Sequence, residues 1–235
     1  MAPVGDRAAT IMLVHGAWHG SWCWDQVRQL LEEGGIATAA VDNPSVTRPG
    51  SDLHADGDNL RTALDAISGP IVLVGHSYGG AVITDAGAHP NVEHLVYVTA
   101  FPLDTGESVM QNDLHGGEEM KLGESLRFDG DVVSVDPSRA VDFFFHDCAP
   151  DVADAAAARL EPMSLAAMGC ITRGVAWRDV PSTYVVCTDD RALPVALQRS
   201  CAARIGEVVE LPTSHSPFLS RPDDVARILA GLASR

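Results

Sequence analysis

The chain has 235 residues, of which 46% are hydrophobic and 20% charged, so it is long enough to bury the core of one globular domain. Its 16 basic and 32 acidic residues give a net charge of −16, which argues against partners such as nucleic acids or anionic membranes. No apolar run approaches the roughly 18 residues that span a bilayer. We therefore expect a protein that acts on a small molecule.

The N-terminal residues, MAPVGDRAATIMLVHG, lack the basic and apolar regions of a secretory signal peptide, so we expect a cytoplasmic protein. The five cysteines are odd in number, scattered and without a C-x-x-C pair, which predicts neither a disulfide framework nor a zinc site. We expect no metal and no cofactor.

The abundance of Ala, Arg, Asp and Gly beside a single lysine points to a bacterial source. The sequence is also compatible with a homodimer.

Short apolar runs alternate with helix-like segments along most of the chain. This alternation predicts a mostly parallel sheet covered by helices on both faces, with ligands bound at the carboxyl ends of the strands. The predicted strands are residues 10–16, 36–44, 70–77, 92–101, 182–190 and 207–215. The predicted helices are residues 23–35, 55–69, 78–90, 194–206 and 220–234.

Residues 102–179 interrupt the alternation. They contain helix-like pieces such as 151–163, and their one strand-like run is 131–136. A stretch of this length is too long for a simple loop. We therefore predict a core formed by residues 1–101 and 180–235, and a helical cap at 102–179, inserted after the strand that ends near Phe101.

The sequence Gly75-His76-Ser77-Tyr78-Gly79 follows the apolar run IVLV and precedes a predicted helix. The pattern G-x-S-x-G at such a junction is typical of a nucleophilic serine held on a sharp turn, where larger neighbours would collide. The N-terminus of the following helix also favours negative charge near the reacting centre. Ser77 is therefore our candidate nucleophile.

A serine hydroxyl needs a general base, and the base needs a carboxylate to orient it. His215 follows the last predicted strand, and Asp189 and Asp190 follow the strand before it, so the chain order is serine, acid, histidine. Asp104 is a third candidate acid, since it follows the strand that ends near Phe101. The residues alone leave these three acids open.

Four stretches, LVHGAWHGSWCW, LVGHSYGGAVI, VCTDDRALP and SHSPFLSRPDDVA, resemble the α/β-hydrolase superfamily. They are most similar to the branch that contains plant methyl esterases, hydroxynitrile lyases and their bacterial esterase relatives. The resemblance implies an α/β-hydrolase fold with a Ser-His-Asp triad. It also implies that a proline lies four residues after the triad acid, which favours Asp190, since Pro194 stands at that distance.

Two backbone N–H groups are expected to form an oxyanion hole, that of Tyr78, which follows the nucleophile, and by resemblance that of Ala17. We expect a substrate pocket near these groups. Its candidate lining residues are Gly16, Trp18, His19, Phe101 and Trp177.

The resemblance implies a serine carboxylester hydrolase that forms an acyl-enzyme on Ser77 and acts on a small, largely apolar or aromatic ester. The alternative is a hydroxynitrile lyase on the same triad. Such lyases carry Thr and Lys where this chain has Gly16 and Ser216, which favours hydrolysis. The third hypothesis is a relative of these enzymes that binds a small molecule without catalysing a reaction.

Overall fold

The computed structural model describes residues 9–112 and 121–235. In these residues the strands are β1 (Thr10–Val14), β2 (Thr38–Val41), β3 (Ile71–His76), β4 (Val92–Val98), β5 (Leu126–Asp129), β6 (Val132–Val135), β7 (Met163–Ser164), β8 (Ser182–Cys187) and β9 (Glu207–Leu211). The helices are α1 (Asp25–Glu33), α2 (Pro44–Thr47), α3 (Leu53–Asp65), α4 (Tyr78–Ala86), α5 (Val109–Asn112), α6 (Pro137–Ala140), α7 (Pro150–Ala157), α8 (Leu165–Gly169), α9 (Val195–Ala202), α10 (Pro217–Ser220) and α11 (Pro222–Ala233).

In the described residues six strands form the main sheet, in the order β2-β1-β3-β4-β8-β9, with every neighbouring pair parallel. Every residue of β3 and β8 is buried, which explains why these strands are almost continuous apolar runs in the sequence. The α/β fold predicted from the alternation of apolar runs and helices is confirmed.

Helices cover both faces of this sheet. Helices α1 and α11 pack on one face, against Ile11 and Leu13 of β1, and helices α3 and α4 pack on the other, against Met12 and Val14. The alternation of side chains along β1 thus supplies two separate hydrophobic cores. None of the helices in residues 9–112 and 121–235 has the length and apolar character needed to cross a membrane.

The order in which strands are added to the sheet reverses at β1, because β2 lies on one side of β1 and β3 lies on the other, with Val14 opposite Gly75. In parallel α/β sheets ligands bind at such a switch point, outside the carboxyl ends of the strands. The loop after β1 and the turn after β3 therefore lie side by side, and they carry Ala17 and Ser77.

The segment between β4 and β8 is not purely helical, so the expectation of a helical cap needs correction. Strands β5, β6 and β7 form a separate antiparallel sheet, in which Leu126 pairs with Val135 and Val133 with Met163. These strands have two to four residues each, and β5 is largely exposed, so their sequences contain no long apolar run. Only β6 falls within the strand-like run at 131–136.

The buried carboxylate of Asp85 links residues 102–179 to the rest of the protein. The Asp85 side chain, at the end of α4, is fully buried, and its Oδ2 accepts hydrogen bonds from Arg61 Nη2 at 3.3 Å and Arg173 Nη2 at 3.0 Å. Its Oδ1 accepts from the backbone N–H of Arg173 at 2.7 Å. Both guanidinium groups are more than a third exposed, so most of the contribution comes from the hydrogen bonds to the buried carboxylate.

Replacing this carboxylate by an amide of the same shape removes two charge-assisted acceptors. We expect Asp85→Asn to lower the free energy of unfolding by about 2 kcal/mol, measured by urea denaturation. Asp65→Asn is the matched control, because Asp65 is exposed and, within the described residues, pairs with His89 alone at 3.2 Å. That variant should stay within about 0.5 kcal/mol of the wild type. Equal effects of the two substitutions would contradict the assignment.

Candidate active site

Ser77 occupies a strained turn between β3 and α4. Its backbone has φ of 51° and ψ of −121°, in a region that residues with a side chain rarely adopt. The turn is held because the Ser77 N–H donates to the Val98 carbonyl at 3.1 Å, and the Ser77 carbonyl accepts from the Gly80 N–H at 2.9 Å. The half-buried side chain of Ser77 therefore projects from the carboxyl end of the sheet.

The glycines around Ser77 are required by close backbone approach. A methyl group at Gly75 would lie 2.5 Å from the Gly79 carbonyl oxygen, and one at Gly79 would lie 2.6 Å from the His15 carbonyl oxygen. A methyl group at Gly80 would lie 2.6 Å from Ala100 Cβ. These distances are too short for any side chain, so the G-x-S-x-G pattern follows from the packing of this turn.

Among the three candidate acids, the structure brings Asp190 to His215. The distance from His215 Nδ1 to Asp190 Oδ2 is 2.7 Å, and both side chains are almost fully buried. Asp189 is exposed, and its backbone carbonyl accepts a hydrogen bond from His146 Nε2 at 2.9 Å. Asp104 pairs with Arg178 at the surface.

Two residues that the sequence did not single out also hold Asp190. The Thr99 hydroxyl donates to Asp190 Oδ2 at 2.6 Å, and Gln198 Nε2 donates to the same oxygen at 3.2 Å. The backbone N–H groups of Ala192 and Leu193 donate to Oδ1 at 2.7 and 2.9 Å. Both oxygens are therefore fixed, and Oδ2 faces His215.

His76, the neighbour of Ser77, ties the His215 loop to the serine turn. His76 Nε2 donates to the His215 carbonyl oxygen at 2.8 Å, and the two ring centroids are 4.6 Å apart. Burial holds the pKa of His76 well below its usual range and lowers the pKa of His19 to about 3. Both rings are therefore neutral at neutral pH, and neither adds a positive charge beside His215.

The backbone N–H groups of Ala17 and Tyr78 are the candidates for binding an anionic oxygen next to Ser77. In the described part of the chain, neither the Ala17 N–H nor the Tyr78 N–H donates a hydrogen bond to a protein acceptor. The loop that carries Ala17 lies close to the nucleophile, since a methyl group on Gly16 would be 2.9 Å from Ser77 Cβ. These two groups are thus available to bind an anionic oxygen.

The hydroxyl group of Tyr78 belongs to a buried polar cluster. Its hydroxyl donates to Asp56 Oδ2 at 2.6 Å, and Ser45 donates to Asp56 through its hydroxyl at 2.6 Å and its backbone N–H at 2.8 Å. Burial raises the pKa of Asp56, against the opposing effect of these hydrogen bonds. The cluster fixes the first residue of α4, and with it the Tyr78 N–H.

Trp18 links the loop after β1 to the inserted segment. Its backbone φ is 62°, its indole Nε1 donates to the Val133 carbonyl at 3.0 Å, and its own carbonyl accepts from the Glu161 N–H at 2.8 Å. The indole also lies 6.0 Å from the Phe144 ring, centroid to centroid. The position of the Ala17 N–H therefore depends on contacts with residues 102–179.

A cavity of about 380 Å³ opens beside Ser77. Within the described residues no charged side chain lines it, and its polar groups come from Ser77 and Tyr78. The lining residues are Ala17, Trp18, Ser77, Tyr78, Phe101, Val109, Met110, Leu122, Gly123, Leu126, Phe128, Val133, Leu165 and Met168. A wider groove of about 530 Å³ near Arg191 is lined by charged groups, and Ser77 does not line it.

Of the five pocket residues expected from the sequence, Trp18 and Phe101 line the cavity and three others lie elsewhere. The ring of His19 is buried and its Nδ1 donates to the Ala17 carbonyl at 2.8 Å. Trp177 Nε1 donates to the Leu103 carbonyl at 2.9 Å. Gly16 packs against His76, since a methyl group there would lie 2.7 Å from the His76 ring.

Comparison with known proteins gives relatives over nearly the whole chain. The chain is 31% identical over 247 residues to a pyrethroid hydrolase of Sphingobium wenxiniae, covering 95% of this chain and 87% of the relative. It is 29% identical over 242 residues to an alpha/beta hydrolase of Aspergillus novofumigatus, covering 95% and 96% of the two chains. The crystal structure of a pyrethroid hydrolase from Sphingobium faniae superposes with a TM-score of 0.82 at 27% identity, covering 96% and 97% of the two chains. Residues 11–228 match the alpha/beta hydrolase family, and the chain belongs to that family.

Proposed function

We propose that this protein is a serine carboxylester hydrolase that acts on small, uncharged, apolar or aromatic esters. The observation that carries the proposal is the strained Ser77 at the mouth of an apolar cavity, next to the loop of a buried His215–Asp190 pair. Hydrolases among the relatives support the same reaction class.

We further propose that the protein comes from a bacterium and lies in the cytoplasm. A homodimer is compatible with this function.

In the first half of the reaction, the Ser77 hydroxyl attacks the carbonyl carbon of the ester while His215 Nε2 accepts its proton. Asp190 accepts the hydrogen bond from His215 Nδ1, which selects the tautomer with a free Nε2 and stabilises the imidazolium. The negative charge on the former carbonyl oxygen is bound by the N–H groups of Ala17 and Tyr78. His215 then protonates the departing alcohol, which leaves an acyl group on Ser77.

In the second half, a water molecule replaces the alcohol. His215 accepts a proton from this water as its oxygen attacks the acyl carbon, and the same two N–H groups bind the second oxyanion. Collapse of the intermediate releases the carboxylic acid and returns the proton to Ser77. No metal or cofactor is used in this scheme.

Residues 102–179 are proposed to act as a cap that shapes the cavity over the core of residues 1–101 and 180–235. The cap supplies Val109, Leu126 and Val133 to the cavity wall. Among the described residues no charged side chain lines the cavity, so a charged substituent bound there would be buried without an ionic partner from them, at a cost of several kcal/mol. The cap therefore favours uncharged acyl or alcohol groups.

The geometry favours hydrolysis over the hydroxynitrile lyase reaction. At the position where such lyases carry Thr, a side chain on Gly16 would lie 2.7 Å from His76 Nδ1 and 2.9 Å from Ser77 Cβ. At the position where they carry Lys, the side chain of Ser216 is buried and uncharged. A neutral hydroxyl does not stabilise a departing cyanide as an ammonium group does.

The proposed acid is tested by two neighbouring substitutions of the same kind. Asp190→Asn should lower kcat by about a thousandfold or more, because the amide no longer selects the correct His215 tautomer. Asp189→Asn, in an exposed side chain, should leave kcat within about twofold. The measurement is hydrolysis of p-nitrophenyl butyrate, and the opposite ranking of the two variants would move the acid to Asp189.

The proposed function and substrate class are tested with a matched pair of esters, p-nitrophenyl butyrate and p-nitrophenyl hemisuccinate, whose acyl chains have the same length. We expect kcat/KM to be at least about 100-fold higher for the neutral ester, because none of the described lining residues offers a cationic partner for the succinyl carboxylate. Ser77→Ala should abolish both reactions, and mandelonitrile should not be cleaved. Equal turnover of the two esters would contradict the substrate class, and cleavage of mandelonitrile would favour the lyase.

A further inference from the structure

We propose that Asp52, His54 and Cys170 form a zinc-binding site that joins the inserted segment to the N-terminal end of α3. One donor atom from each residue, a carboxylate oxygen, an imidazole nitrogen and the thiol sulfur, lies within 4.8 Å of the other two. The site lies apart from the cavity beside Ser77, whose lining contains none of these residues. The proposal therefore does not depend on the proposed ester hydrolysis.

The spacing of the two strongest donors suits a tetrahedral ion. The distance from His54 Nε2 to Cys170 Sγ is 3.5 Å. Zinc binds imidazole nitrogen at about 2.0 Å and thiolate sulfur at about 2.3 Å, and a tetrahedral angle between them places the donors about 3.5 Å apart. His54 Nε2 and Cys170 Sγ therefore already lie at the separation that one zinc ion requires.

The third donor completes a set of the kind that zinc selects. Asp52 begins α3, and its Oδ1 caps the helix by accepting from the Ala55 N–H at 2.9 Å, which leaves Oδ2 free to bind an ion. Its carboxylate lies within 4.8 Å of both other donors, so it can join them around one ion through a side-chain movement. Thiolate, imidazole and carboxylate together favour zinc over the oxygen-preferring magnesium and calcium ions.

The three side chains are half-buried, so an ion can enter and a water molecule can fill the fourth position. His54 Nε2 lies 3.0 Å from the Ile171 carbonyl, so zinc binding replaces a hydrogen bond with a stronger bond to the metal. The net charge of the chain, −16, favours the approach of a cation to the protein. Metal binding also releases the thiol proton.

Zinc bound here would fix the position of residues 170–173 on α3. The same short stretch carries Arg173, which already contacts Asp85 and Asp58. The ion would add a further attachment between the inserted segment and the core. We expect zinc to raise the thermal stability of the protein through this attachment.

The experiment is a titration of the tag-free, reduced protein with Cd²⁺, which reports thiolate ligation through a sulfur-to-metal charge-transfer band in the ultraviolet. We expect saturation at one equivalent, and competition by Zn²⁺. Cys170→Ser should abolish the band, and His54→Gln should weaken binding by at least about tenfold, the loss typical for a metal ligand or its support. Cys148→Ser and His89→Gln are the controls, since each removes a half-buried side chain of the same type elsewhere.

Thermal unfolding gives a second readout that does not depend on the spectrum. Excess Zn²⁺ should raise the Tm of the wild type by several degrees and leave the Tm of Cys170→Ser unchanged. Ester hydrolysis measured without metal should be unaffected by either ligand substitution, which shows that the variants are folded. Absence of the band, a band that persists in Cys170→Ser, or equal affinity in His54→Gln would overturn the proposal and indicate a thiol–imidazole hydrogen bond alone.

Discussion

At the end of β3 the chain must pass from strand to helix within one residue, and Ser77 adopts φ of 51° to make that turn. The turn brings the backbone of α4 so close to β1, to β3 and to the residues that follow β4 that Gly75, Gly79 and Gly80 have no room for a side chain. The conformation is held by the hydrogen bond from the Ser77 N–H to Val98. The cost of the strained residue, about 1–3 kcal/mol, is therefore offset by the packed sheet around it.

The same constraint organises the neighbouring groups. Because β1 pairs directly with β3, the loop that contains Ala17 lies against the serine turn. His76 reaches from the turn to the backbone of His215. Trp18 extends the connection to Val133 in the inserted segment, so the proposed oxyanion hole depends on contacts from both parts of the chain.

The sequence predicts the main sheet, and it predicts that Ser77 and His215 follow strands, as they do in the structure, because apolar runs and glycines at a turn are local patterns. The choice of Asp190 over Asp189 needed the distance to Pro194, because both acids follow the same strand. Thr99 was missed because it lies 91 residues before Asp190 in the sequence, and no local pattern indicates a hydrogen bond between residues so far apart. The antiparallel sheet of the inserted segment was missed because its strands are short and partly exposed. The pairing of His54 with Cys170 spans 116 residues and is equally invisible to motif spacing.

The proposed mechanism depends above all on the activation of Ser77 as a nucleophile by His215. Its most direct test is reaction of the protein with p-nitrophenyl diethyl phosphate, followed by intact-mass measurement and peptide mapping. We expect one diethylphosphoryl group per chain, located on Ser77, with loss of ester hydrolysis in proportion to labelling, and a labelling rate that falls at least about a hundredfold in His215→Ala. Labelling at another residue, or an unchanged rate in His215→Ala, would contradict the account.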